Sequence, residues 1–360
     1  MPQPQDGKFG WPWIDNRQSF EFDPNIEWPL LSIVTPSLNQ GQFLEETIRS
    51  VLLQGYPNLE FMIMDGGSTD NSVDIIKKYS PWISYWVSER DQGQSDAINR
   101  GFSMAKGEFV AWLNSDDVFL PGCIRKILDT FRNIPTAGMV FGDVEVINEN
   151  GNRIGKFEPV DYCFDDLLSF RQIIPQQAAF FRKEVAFSVG LLNTDLDYAM
   201  DHDFFIKIGY SFPIVRVSEI IAQFRLSQMN KGVLQRSKWA AEFVKILENF
   251  YQRADLPPKV LKIKQKAYGG AYYRGAASFL EDELYNDARQ WFLRAIRVYP
   301  YYLIKPGWWK KMTKTFIGKK GNRCLKSLKI LLRRLAIAQF DYDWQVGLGS
   351  ENKNLGQEKL

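Results

Sequence analysis

Between Leu30 and Asp117, four short apolar runs that each close on polar residues alternate with segments of helical periodicity. That rhythm restricts the fold more than any other property of the 360 residues. "LLSIVTP" (Leu30–Pro36) is apolar, β-branched and ends at a proline, as a buried strand does. "LEFMIMDGGSTD" is a second run that closes in a Gly-Gly turn, and "WISYWVSE" and "EFVAWLNSDD" follow. In the stretches between them, Phe43, Leu44, Ile48, Val51 and Leu52 recur at helical spacing with Gly55 as a stop. "STDNSVDIIKKY" opens on Ser, Thr and Asp N-cap candidates, and "QSDAINRGFSMAKG" is a helix ended by Gly107. The alternation predicts an α/β fold with a mostly parallel sheet flanked by helices, its ligands gathered beyond the carboxyl ends of the strands. The polar residues sit at those ends: Thr35-Pro36-Ser37, Asp65-Gly66-Gly67, Glu89-Arg90-Asp91 and Asp116-Asp117.

The Asp116-Asp117 pair sets the chemical question. Adjacent carboxylates behind a buried strand are costly unless a cation offsets them. A divalent metal, a helix cap and a solvated turn are the three readings open to such a pair. The position at the sheet edge favours the first, because hard oxygen ligands suit Mg²⁺ or Mn²⁺ bridging phosphates.

The rest of the chain bounds the class. With 11 Trp, 15 Tyr and 26 Phe it is globular, and its length exceeds one ordinary domain. Cys123, Cys163 and Cys324 lie far apart, with neither metal-ligand spacing nor a disulfide framework, which fits a reducing compartment. "MPQPQDGKFGWPW" lacks an apolar signal region, and no apolar run reaches the roughly 18 to 20 residues of a membrane span. A cytoplasmic protein is expected. The net charge of +3 conceals an asymmetry: Arg289 to Arg334 supply fourteen Lys and Arg with no acid among them, so the remainder is net acidic. "AYYRGAASFLEDELYNDARQWFLRAIRVYP" reads as paired helices resembling one tetratricopeptide-type hairpin. Beyond it, Leu325, Leu328, Leu332 and Leu335 share one helical face, with Lys326, Lys329 and Arg333 on another. That stretch fits either a packed hairpin with a solvated basic face or adsorption to an anionic membrane surface, peripheral on the inner face. No nucleic-acid motif accompanies the charge, so nucleic acid is not expected as a partner.

From Leu30 to about Leu226 the chain resembles the family 2 glycosyltransferases, inverting enzymes with the GT-A fold that use nucleotide-activated sugars. The resemblance rests on four ordered motifs, "SIVTPSLNQGQFLEETIRSVLLQGYPNLEFMIMDGGSTDNS", "GQSDAINRGFSMAKGEFVAWLNSDD", "QQAAFF" and "YAMDHDFFIKIG". It implies a GT-A domain over 30–234, preceded by a Pro- and Trp-rich arm (1–29). A helical, basic region (235–345) and a disordered tail (346–360) would follow. It further implies that Asp117 coordinates Mg²⁺ or Mn²⁺ on the diphosphate and that Asp116 holds the ribose or shares the metal. Thr35, Pro36, Ser37 and Asn39 would pack on the nucleoside, Asp65 would read the base, and Asp96 and Asn99 would line the same cleft. Asp201 would be the base that deprotonates the attacking hydroxyl, with Asp203 as runner-up. His202, between two acids, reads as a salt-bridged surface group and receives no role.

Two departures from the family pattern stand out. Asp65-Gly66 replaces a pair of acids, and Ser227 in "FRLSQMNK" stands where an Arg-x-His pattern would put histidine, leaving Arg225 and Lys231 to meet the diphosphate. The expected activity is transfer of a sugar from a UDP-linked donor to a hydroxyl of a glycan or lipid-linked acceptor in surface polysaccharide synthesis. The competing readings are a sugar-nucleotide nucleotidyltransferase and a non-catalytic glycan-binding scaffold. The first would need a Gly-rich basic phosphate loop, and "PSLNQGQF" has one Gly and no basic residue. The second is disfavoured by the intact Asp116, Asp117 and Asp201.

Overall fold

The computed structural model describes residues 1–3, 7–14, 22–157, 161–227, 235–318 and 321. Its first half is the expected alternation: β1 (Leu31–Ser37), α1 (Gly41–Leu52), β2 (Leu59–Asp65), α2 (Ser72–Tyr79), β3 (Tyr85–Ser88), α3 (Gln94–Met104) and β4 (Phe109–Trp112). β1 to β4 pair in parallel in the order β3-β2-β1-β4. The register sets Ser37 beside Asp65 and Asp65 beside Ser88, so the polar strand ends form one row. β4 stops at Trp112, four residues before the acidic pair. Asp116 and Asp117 therefore occupy the turn into β5 (Val118–Phe119), not the strand itself.

The second half turns the sheet mixed. It comprises α4 (Cys123–Asn133), β6 (Met139–Ile147), β7 (Arg153–Phe157), α5 (Phe164–Leu168), β8 (Ala179–Arg182), α6 (Lys183–Ser188), α7 (Met200–Ser211) and β9 (Ile214–Arg225). β8 lies antiparallel between β4 and β6, β9 runs parallel to β6, and β5 closes the edge antiparallel to β9. The parallel character thus belongs chiefly to the first four strands of a sheet of nine.

Side chains alternate across this sheet with the strand period of two. Leu31, Ile33, Phe61, Ile63, Phe109, Ala111 and Phe180 face α1, α2 and α4, while Val34, Met62, Met64, Val110, Trp112 and Phe181 face α3 and α7. The second face is also covered by helices that follow residue 235: α8 (Lys238–Tyr251), α9 (Pro258–Lys262) and α10 (Lys264–Glu281). Phe243, Ile246, Leu247 and Phe250 of α8 are buried in the same core as Phe181 and Phe204. The change of character at about 235 is therefore one of secondary structure and not of packing. α10 and α11 (Tyr285–Val298) form the expected helical hairpin, and with the helix 306–318, here α12, they enclose a small core of Ala276, Ala288, Phe292, Trp308 and Met312.

A buried guanidinium gathers the first residues of the N-terminal arm. Arg49 of α1 donates to the carbonyls of Pro2, Pro12 and Trp13 and stacks on the Trp13 ring. Among the described residues no helix is long and apolar enough to cross a membrane. The amphipathic leucines 325–335, Lys231 and the tail 346–360 lie outside the described residues.

Candidate active site

The carboxyl ends of the strands open into a cleft of about 870 Å³. Pro36 and Ser37 form one wall, Asn114 to Asp117 the floor, and Gln176 and Gln177 a second wall. Met200 and Asp201 stand at the start of α7, and Trp239 and Arg274 close the far side from α8 and α10.

Asp117 is the electrostatic centre of the floor. It is 1% exposed, and burial together with the charge of Asp116 pushes its pKa well above the ordinary carboxylate value. The backbone N–H of Arg225 (2.9 Å) and the amide of Asn114 (3.4 Å) offset this only in part. A pair of acids held this way is short of positive charge. Among the described residues no group of three or more His, Cys, Asp or Glu could hold a metal. The two carboxylates nevertheless fit a hard dication whose remaining ligands are phosphate oxygens and water. The floor is braced by a chain of amides: Gln94 donates to Asn114 (2.7 Å), Asn114 to Gln176 (3.0 Å), and Gln176 to the Trp112 carbonyl (2.8 Å). Gln176 opens the "QQAAFF" stretch, yet nothing in its local pattern announces a contact with residue 112.

Arg225 behaves differently from the expectation. It is 1% exposed and turned away from the cleft: its Nε donates to the Asp116 carbonyl (2.9 Å), and another nitrogen pairs with Glu46 at 2.9 Å. A guanidinium already desolvated and paired with Glu46 braces the acidic turn from behind and does not reach a diphosphate. Ser227 is likewise buried.

Other strand-end residues divide into two groups. Pro36 and Ser37 line the cleft; Thr35 lies one position deeper, fully buried. The hydroxyls of Thr35 and Ser37 have no hydrogen-bond partner among the described residues. Asn39 adopts a left-handed φ of 53° and accepts from the Thr69 N–H (2.8 Å), tying the first two loops together. Asp65 accepts from the N–H groups of Gly67 and Ser68 and the hydroxyls of Ser68 and Ser88, at 2.5 to 3.2 Å. Four donors saturate a carboxylate, so the base-reading role expected of Asp65 has no free acceptor. Asp96 accepts from Gln92 N–H, and Asn99 makes two hydrogen bonds with the Leu192 backbone (2.9 and 3.1 Å). Asp65, Asp96 and Asn99 do not line the cleft.

Asp201 does line it, from the first turn of α7. It is deep among protein atoms yet reached from the cleft, and burial raises its pKa to about 6 against a hydrogen bond from the His202 N–H (2.7 Å). The charge of Glu242 adds to the rise. That residue, on α8, accepts the N–H groups of Asp197, Tyr198 and Ala199 at 2.7 to 2.9 Å and so fixes the loop that delivers Asp201. Asp203 is 4% exposed, salt-bridged to Lys207 at 2.6 Å, and faces away. His202 is the opposite of the surface group expected. It is buried, stacked on Phe170 (4.4 Å between rings) and bonded to the Leu167 carbonyl, and burial lowers its pKa to about 4.

Comparison with known proteins places this geometry. Residues 32–187 match the family model described as Glycosyl transferase family 2. An uncharacterized glycosyltransferase of Mycobacterium tuberculosis is 27% identical over 200 residues, 54% of this chain and 75% of the relative. A PGL/p-HBAD biosynthesis glycosyltransferase of Mycobacterium bovis is 29% identical over 183 residues, 50% of this chain and 69% of the relative. Among solved structures, S. aureus TarS 1-349 in complex with UDP-GlcNAc superposes with a TM-score of 0.58 at 15% identity, covering 75% of this chain and 81% of that one. The mannosyltransferase PcManGT from Pyrobaculum calidifontis, in complex with GDP-Man and Mn²⁺, gives 0.55 at 18%, covering 85% and 90%. At such identities these two structures establish the shared GT-A fold.

Proposed function

We propose that this chain, whose residues 32–187 match the family 2 glycosyltransferase model, is an inverting enzyme of that family whose donor is a UDP-linked sugar. The observation that carries the reading is the convergence of Asp116, Asp117 and Asp201 on one cleft, with Asp201 poised near pH 6. Pro36 and Ser37 flank the nucleoside, and Thr35 supports them from one position deeper. Asn39, Asp65, Asp96 and Asn99 shape the walls from behind.

The acceptor hydroxyl gives its proton to Asp201 as its oxygen attacks the anomeric carbon from the face opposite the diphosphate. The bond from that carbon to the diphosphate oxygen breaks, and the nucleoside diphosphate leaves with the electron pair, inverting the centre. Mg²⁺ or Mn²⁺ held by Asp117 and Asp116 would supply the positive charge that stabilises this leaving group. The TarS complex with UDP-GlcNAc and the PcManGT complex with GDP-Man and Mn²⁺ support a nucleotide-sugar and metal requirement for a fold of this kind. Calorimetry with UDP and Mn²⁺, separately and together, tests the reading. Metal-dependent UDP binding should be present and should be abolished by Asp117→Ala; UDP affinity indifferent to Mn²⁺ and to that substitution would end it.

The acceptor we infer is a glycan or lipid-linked sugar of a surface polysaccharide, met at the cytoplasmic face of the inner membrane. The support is an apolar and basic patch around α12: Ile304 is 69% exposed, Trp309 52% and Phe316 64%, with Lys305, Lys310 and Lys314 beside them. Aromatic and aliphatic groups flanked by lysines match an anionic bilayer interface. Co-sedimentation with phosphatidylglycerol vesicles, falling away with salt and absent with phosphatidylcholine, is the expected result.

A further inference from the structure

One stretch of the cleft wall remains once donor and base are placed. Beyond Asp201 it is built by Trp239 of α8 and by Arg274, Ser278 and Glu281 of α10. Gly270, Arg274 and Ser278 recur every four residues, so they share one face of that helix. A Cβ on Gly270 would fall 1.8 Å from the Ser169 carbonyl oxygen. The face is thus seated directly on the chain at 169, and its next turn delivers Arg274 to the cleft.

Arg274 has no close counter-ion among the described residues. Its guanidinium forms no hydrogen bond or ion pair among the described residues, whereas Glu281 is paired with Arg236 at 2.8 Å. Surrounding protein lowers its pKa, with the Glu281 charge working the other way. Lys311 of α12 is close to it: burial lowers its pKa, and the charges of Arg274 and Lys314 lower it further against that of Glu281. Arg274 and Asp201 line the same cleft. The indole Nε1–H of Trp239, another residue of this wall, is buried without an acceptor among the described residues. An exposed guanidinium on a cleft wall, with a second cation behind it, is a ready partner for an anion.

We propose that this wall is the acceptor subsite and that the acceptor carries an oxyanion, a phosphate or a carboxylate, which Arg274 grips while the hydroxyl faces Asp201. The inference rests on the glycosyltransferase reading and adds the acceptor's charge to it. A planar guanidinium suits either oxyanion bidentately. The donor's diphosphate is a poorer match, because a dication held by Asp116 and Asp117 would meet its charge at the other end of the cleft.

The probes are glycerol 3-phosphate, glucuronate and neutral glycerol, titrated calorimetrically into full-length protein saturated with UDP and Mn²⁺. Wild type should bind glycerol 3-phosphate, glucuronate or both, and not glycerol; which of the two binds tells phosphate from carboxylate. Arg274→Gln should weaken that binding by about tenfold to a hundredfold, and Arg274→Lys should weaken it less. Melting temperature separates lost binding from lost folding, and the side chain's exposure makes the latter a small risk. Neither anion binding to wild type, equal binding to Arg274→Gln, or displacement of UDP by the anion would each overturn the proposal. Failure of UDP itself to bind would strike the donor reading instead, and the same titration without nucleotide would still decide the role of Arg274.

Discussion

Asp201 shows how one residue's surroundings prepare it for chemistry and cost the fold stability at once. Burial lifts its pKa to about 6, above the ordinary value of 3.8. In its proposed role as base it would work only when ionised, so turnover should fall about tenfold per pH unit below that value and level off above it. A pH–rate profile measures this, and Asp201→Asn should remove the transfer reaction while leaving UDP binding in place. The linkage runs the opposite way for stability. The folded state holds this proton more tightly than the unfolded chain, so the stabilisation is complete below about pH 4 and gone above about pH 6. Asp201→Asn should therefore raise stability at pH 7 by on the order of 2 kcal/mol, a gain that urea titrations at pH 4 should not find. The placement of Asp116, Asp117 and Asp201 on one cleft was legible through the family resemblance, because "NSDD" and "YAMDHDFF" are local patterns. Arg225 and Glu242 were not, because their work depends on partners far along the sequence: Asp116 and Glu46 for one, residues 197–199 for the other. A partner so remote leaves no trace in spacing.

At the level of elements, legibility follows the range of the interactions that build each one. β1 to β4 and α1 to α3 were readable because buried strands alternate every two residues and packed helices every three or four. β5, β8 and β9 were not, since two-residue strands and antiparallel insertions are selected by neighbours from distant parts of the chain. α10 illustrates an intermediate case, in which the helix was legible but the glycine's purpose was not. Gly270 reads as a small residue in a helix, which ordinarily destabilises it by up to about 1 kcal/mol relative to alanine. Here the missing side chain is what lets the helix touch the Ser169 carbonyl. Gly270→Ala should thus destabilise despite its better propensity, by about 1–3 kcal/mol in urea unfolding. A neutral or stabilising result would mean that the helix sits further out than the structure places it.

Across the whole molecule, the sheet and the helices after residue 235 share one core. Phe243, Ile246, Leu247 and Phe250 are each at most 6% exposed. At about 1.5–3 kcal/mol per buried side chain of this size, losing four rivals the roughly 5–15 kcal/mol that holds a typical domain together. A chain ended at residue 234 should consequently show no cooperative unfolding transition by circular dichroism. A soluble fragment with a sharp transition would instead establish an independent catalytic unit. The family resemblance, which stops near Leu226, hid this dependence because the motifs lie on the sheet and its loops.

The three backbone N–H groups that Glu242 gathers from Asp197, Tyr198 and Ala199 have a consequence for engineering and for divergence. The helix that walls the far side of the cleft also sets the pitch and electrical environment of Asp201. A chimaera that borrowed these helices from another enzyme to change what is glycosylated would import a different setting of that group along with them. New selectivity and retained speed must therefore be obtained together, by compensating changes on both sides of a single carboxylate.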